Sequence, residues 1–215
     1  MEGTKNKIEF LGILFFYIIY SVGIAGHIIN PTRDLMILLT PFTLLLSSLV
    51  LFYFVWKEES IKLFVWFGAT YLITFTLEVI GVKTGLVFGS YNYGNVLGVK
   101  LLETPLIIGI NWIFVIFGAF LLTLKITSKK IFLPIITAFL ALVFDYFMEP
   151  VAIYLNYWNW EGDVIPLQNY VAWFLIAFFF ASIFSYLKIE IKGKIFAHYF
   201  LIQFFFFVIL NLVIT

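Results

Sequence analysis

The chain has 215 residues, of which 63% are apolar, and only 13 basic and 12 acidic side chains give a net charge of +1. With a mean hydropathy of +1.08, a soluble globule of this size could neither bury its apolar surface nor cover itself with polar groups. These values exclude a soluble enzyme, a nucleic-acid binder and a disordered chain. The absence of cysteine excludes disulfides, thiol catalysis and Cys-ligated metal centres. What remains is an all-α polytopic membrane protein, a single integral domain over 1–215.

A span needs about 20 mainly apolar residues. In chain order the predicted spans are 8–29, 34–55, 61–82, 104–124, 131–152, 168–187 and 194–214. Polar or turn-forming breaks separate them. The first is too long for a cleavable signal peptide, and no small-residue cleavage site follows it. Ten of the basic residues then collect on one side: Lys5, Lys7, Lys57, Lys62, Lys125, Lys129, Lys130, Lys188, Lys192 and Lys194. Arg33, Lys83 and Lys100 fall on the other. Lysine-rich loops face the cytoplasm, which puts the N-terminus inside, the C-terminus outside, and the protein in the cell (cytoplasmic) membrane.

Two connections on the non-cytoplasmic side are unlike the rest. Segment 83–103 is glycine- and aromatic-rich and reads as a re-entrant or hairpin-like structure, because it is too apolar for disorder. Segment 153–167 carries Tyr154, Tyr157, Trp158 and Trp160. Aromatic anchoring at the interface is the plain reading of both, but it does not account for the glycines or the length.

Ionisable residues inside spans mark functional sites by default. Glu78 lies near the outer end of the third span. Asp145 and Glu149, four apart, share one face of the fifth. Asn111 and Trp112 lie in the outer half of the fourth, and Gln168, Asn169 and Trp173 in that of the sixth. The carboxyls and amides thus gather in one leaflet under the two unusual connections. Plainer roles exist for several. Glu149, before Pro150, fits a helix end among headgroups, and Glu78 fits an interhelical partner for Asn111 or Asn169. His27 reads as a helix-end residue, Glu103 as the start of the fourth helix, and Gln203 and His198 as packing residues away from the cluster. A carboxyl in a low-dielectric site favours its protonated form and is a good general acid. A second carboxylate and aromatic faces stabilise cations. The site suits proton-initiated chemistry on an apolar alkene, although composition alone fits a transporter equally well.

The motifs Glu78-Val79-Ile80-Gly81-Val82-Lys83-Thr84-Gly85, Phe88-Gly89-Ser90-Tyr91-Asn92-Tyr93 and Asp145-Tyr146-Phe147-Met148-Glu149-Pro150, with Tyr157-Trp158-Asn159-Trp160 and Ile165-Pro166-Leu167-Gln168-Asn169-Tyr170, resemble those of membrane carotenoid hydratases. The resemblance covers about 65–180; Val87 departs from it, standing where that family often has proline. It implies cofactor-independent, metal-free addition of water to the terminal C1′=C2′ bond of an acyclic carotenoid. Expected partners are the lipophilic carotenoid, the bilayer and other carotenoid-pathway membrane enzymes, with no nucleic acid. At the matching positions, Asp145 or Glu149 would donate the proton. Glu78, with Asn111 and Asn169, would position and deprotonate water. Tyr91, Tyr93, Trp112, Trp158 and Trp173 would line the substrate pocket. A membrane lycopene cyclase shares the first step. A magnesium-dependent prenyltransferase would need a second acidic pair. A retinal protein would need a lysine inside the last span, and a transporter would be expected to show repeats.

Overall fold

The computed structural model describes residues 2–187, 189, 191 and 193–215, with side chains described from residue 6 onward. Of the basic residues used for orientation, Lys188, Lys192 and the side chain of Lys5 lie outside the described residues. Seven helices run α1 (Glu2–Ile28), α2 (Asn30–Lys57), α3 (Ile61–Thr84), α4 (Ile107–Ile126), α5 (Phe132–Tyr154), α6 (Leu167–Leu187) and α7 (Ile195–Ile214). All seven are long and apolar enough to cross a membrane. Helices are the expected solution, since a backbone in hydrocarbon must satisfy its own hydrogen bonds.

The most buried helix, α4, packs against α2, α3, α5, α6 and α7. Rings fill its surroundings: Phe117 meets Phe67, Phe184 and Phe196 at centroid separations of 5.1, 5.4 and 4.8 Å. Outside this core, α1 packs on α2 and α7. Large apolar side chains such as Phe10 and Phe42 stay exposed, as a lipid-facing surface requires.

The two unusual connections pair with each other. Strand β1 (Tyr91–Tyr93) runs antiparallel to β4 (Trp158–Trp160), with Tyr91 opposite Trp160 and Tyr93 opposite Trp158. Between them in sequence, β2 (Lys100–Leu101) and β3 (Thr104–Pro105) form a hairpin. Its two turn residues, Leu102 and Glu103, have φ of 52° and 67°, the left-handed pair of a tight hairpin turn. Glu103 therefore sits in a β-turn and does not start a helix; α4 begins at Ile107. A second correction concerns Pro150. It does not end α5, which continues to Tyr154, so Glu149 lies inside the helix and is 2% exposed, away from headgroups.

Candidate active site

The third helix ends where it must to present Glu78. Gly85 takes the left-handed C-cap conformation (φ 69°) and its N–H bonds the carbonyl of Gly81, after which the chain turns into β1. Gln168, at the start of α6, donates to the carbonyl of Leu86 at 2.6 Å and fastens the turn. It serves the loop and is not a cavity group.

Alternate residues of a strand share a face, and the β1–β4 ribbon uses this twice. On β1, the hydroxyls of Tyr91 and Tyr93 both donate to Oε2 of Glu78, the latter at 2.8 Å. On β4, the indole N–H groups of Trp158 and Trp160 both donate to Oε2 of Glu149, at 2.9 and 2.8 Å. Trp112 of α4 completes the first group, donating from Nε1 to Oε1 of Glu78 at 2.7 Å. Each carboxyl is buried and held by aromatic donors. Burial, and then the charge of Glu78 beside them, push the Tyr91 and Tyr93 hydroxyls well above the ordinary tyrosine range. Both therefore remain O–H donors at neutral pH.

Asn169 of α6 bridges the carboxyls of α5. Its Nδ2 donates to Oδ2 of Asp145 at 2.8 Å and to Oε1 of Glu149 at 3.3 Å. It does not pair with Glu78, whose partners are Tyr91, Tyr93 and Trp112. Asp145 is fully buried, and its Oδ1 has no hydrogen-bond partner among the described residues. Trp112 stacks on Trp173 with centroids 3.9 Å apart and planes at 26°.

One cavity of about 290 Å³ joins these groups. Its lining includes Glu78, Glu149, Tyr91, Tyr93, Asn111, Trp112, Trp158, Asn169 and Trp173. Nine of the ten predicted site residues thus meet in one space. The tenth, Asp145, is not among the lining residues and reaches Glu149 through Asn169. Among the described lining residues there is no lysine or arginine, so the carboxyls are balanced by neutral donors alone.

The cavity also reaches residues whose place in their own helices suggests other roles. His27 is 4% exposed and lines it. Its Nδ1 donates to the Gly23 carbonyl at 2.7 Å, and its Nε2 has no hydrogen-bond partner among the described residues. Gln203, expected away from the cluster, lines the same cavity and donates to the Tyr20 hydroxyl at 3.1 Å. Trp160, Tyr157 and Phe88 are further lining residues. The matching alternation Tyr91-Asn92-Tyr93 and Trp158-Asn159-Trp160 was the available signal for Trp160. A second, polar hollow lined by Ser90, Asn92, Asn159 and Glu161 shares Tyr91 and Trp160 with the cavity.

Comparison with known proteins agrees with the motifs. The bisanhydrobacterioruberin hydratase of Haloarcula japonica is 28% identical over 115 residues, covering 48% of this chain and 38% of that protein. The chain therefore matches well under half of the length of this curated relative. No solved structure matches. A family model described as carotenoid biosynthesis protein matches residues 39–215, and on that extent of agreement the chain belongs to the carotenoid biosynthesis protein family.

Proposed function

We propose that the cavity adds water to the terminal C1′=C2′ double bond of an acyclic carotenoid end, by acid-initiated carbocation chemistry without a cofactor. The observation that carries this reading is that Glu78 and Glu149 line one aromatic cavity, each fixed by its own donors. Glu149 is the acid. Its proton passes to C2′, the π electrons form the new C–H bond, and a tertiary cation is left at C1′. The Trp158 and Trp160 N–H groups and Asn169 then stabilise the carboxylate that remains. Glu78, whose oxygens accept from Tyr91, Tyr93 and Trp112, stabilises the cation and takes a proton from water as its oxygen bonds C1′. The faces of Trp112 and Trp173 shield the cation. Asn111 helps to hold the water, which arrives from the polar hollow beside Tyr91 and Trp160. Asp145 is a positioning residue, acting on Glu149 through Asn169. In this reading the site lies in the outer leaflet of the cell membrane, with the N-terminus in the cytoplasm, where the lysine-rich ends collect.

The test is expression in a host that accumulates lycopene, followed by mass and polarity of the pigments. Hydration adds one water and a tertiary hydroxyl. A product of unchanged mass and ring-closed spectrum would make the protein a cyclase. Unaltered pigment from correctly inserted protein would overturn the reading.

A further inference from the structure

Glu78 and Glu149, at the aromatic end of the cavity, are 5% and 2% exposed, and the cavity opens at its other end. Ile18 and Val22 of α1 and Leu39 of α2 line it, yet they are 55%, 57% and 39% exposed. Side chains that face the cavity and the exterior at once form the rim of a mouth. That mouth lies in the seam between the two least buried helices of the bundle.

Its depth is set by helix geometry. The seam closes at the tight α1–α2 connection around Ile29. At 1.5 Å per residue, the rim residues lie roughly 10–20 Å below that connection. The hydrocarbon core of a bilayer is about 30 Å thick, so the mouth opens onto acyl chains near mid-bilayer. The rim offers no free polar group: Thr43, which also borders the cavity, turns its hydroxyl back to the Leu39 carbonyl at 3.1 Å. A hydrophilic ligand would have to cross hydrocarbon to reach such an opening.

The volume decides how much of a ligand enters. Pockets that enclose drug-sized ligands run roughly 300–1,000 Å³, and this cavity holds about 290 Å³. It accommodates an end group and a short stretch of chain, and no more.

We infer that the α1–α2 seam at Ile18, Val22, Leu39 and Thr43 is a lateral port. Through it one end of a long apolar chain slides from the bilayer to the carboxyls while the remainder stays in lipid. This rests on the cavity being the reaction site, and it adds a specificity rule. The protein reads a slim, acyclic terminus and is indifferent to the far end of the chain, so a chain with two suitable ends is processed one end at a time.

The experiment uses the full chain in lipid nanodiscs with a long acyclic isoprenoid hydrocarbon tipped by a photoreactive diazirine. Adducts are mapped by mass spectrometry. The wild type is expected to carry adducts on Trp112, Tyr157 or Trp173 inside, and on Phe10 or Phe42 outside. In V22W/L39W the interior adducts fall by roughly tenfold or more while exterior labelling is unchanged. V22A/L39A, which widens the mouth, raises interior labelling, and L38W, outside the rim, leaves it at the wild-type level. Undiminished interior labelling in V22W/L39W, or none in the wild type and the widened variant, overturns the port. Because the probe needs no turnover, interior labelling that follows this pattern supports the port even where pigment analysis removes the hydratase reading.

Discussion

Tyr91 and Trp160 face each other across the β1–β4 ribbon with ring centroids 5.0 Å apart, and each holds a different carboxyl. The Tyr91 hydroxyl donates to Glu78 on α3 and the Trp160 indole donates to Glu149 on α5 at 2.8 Å. The ribbon is thus a clamp that sets the distance between two carboxyls on separate helices. Neither connection could order its donors alone, since a two-stranded ribbon is marginal without something to pack on.

Trp160→Phe tests the clamp because it keeps a ring against Tyr91 and deletes one N–H. A hydrogen bond to a charged group contributes about 1.5–3 kcal/mol. If Glu149 must carry charge after giving up its proton, turnover falls by roughly tenfold to a hundredfold at constant protein level in membranes. Turnover equal to wild type would count against Glu149 as the acid.

Gly81→Ala probes the other half. A Cβ there would lie 2.8 Å from Cδ2 of Phe88 and 3.2 Å from the Tyr91 hydroxyl. Both rings must give way, and overpacking of this kind costs about 1–3 kcal/mol. The expected result is a lower Tm together with reduced turnover, and in a Tyr91→Phe background Gly81→Ala should cost little further turnover. Non-additive losses in Gly81→Ala/Tyr91→Phe would tie the glycine to the Glu78 hydrogen bond.

The carboxyls should rank in a definite order. Glu149 lines the cavity, whereas Asp145 meets it only through Asn169. Glu149→Gln is expected to abolish hydration, and Asp145→Asn to leave a measurable rate. Each variant is assayed for pigment product after its membrane insertion has been verified. The reverse ranking would move the acid role to Asp145.

The seven spans were legible because a run of about 20 apolar residues has few alternatives. Nine of the ten site residues also converge: the carboxyls and amides stand out because polar groups in hydrocarbon are costly, and the aromatic ones because they sit in the resembling motifs. What failed had local causes. Leu102 and Glu103 carry no Gly or Asn to announce a left-handed turn, so the β2–β3 hairpin looked like the approach to a helix. Pro150 looked like a stop signal, although its missing N–H costs little when α5 is supported by neighbours. The sequence places His27 and Gln203 only within their own helices and not against their neighbours. The burial of His27 comes from another helix, with Phe206 of α7 edge-on at 5.7 Å. The pairing of β1 with β4 joins residues too far apart in sequence for either alternation alone to name its partner.

Alkaline pH offers a test of how tightly the ribbon end packs against α2. Tyr157, just after α5, is 5% exposed and shares a hydrogen bond of 3.3 Å with Thr40 of α2. Burial pushes its hydroxyl from 10.0 up to about 12. The unfolded chain therefore releases this proton at a lower pH than the folded one, and the folded state holds more protons between those values. Stability is then full below about pH 10 and declines as pH rises towards 12. Two pH units correspond to about 3 kcal/mol, which is the decline assigned to this one group. Tyr157→Phe cannot ionise, so its denaturant-unfolding stability in detergent should fall less steeply above pH 10 than that of the wild type. Parallel curves for the two proteins would mean that Tyr157 is not sealed from solvent and that the contact between α2 and the ribbon end is loose.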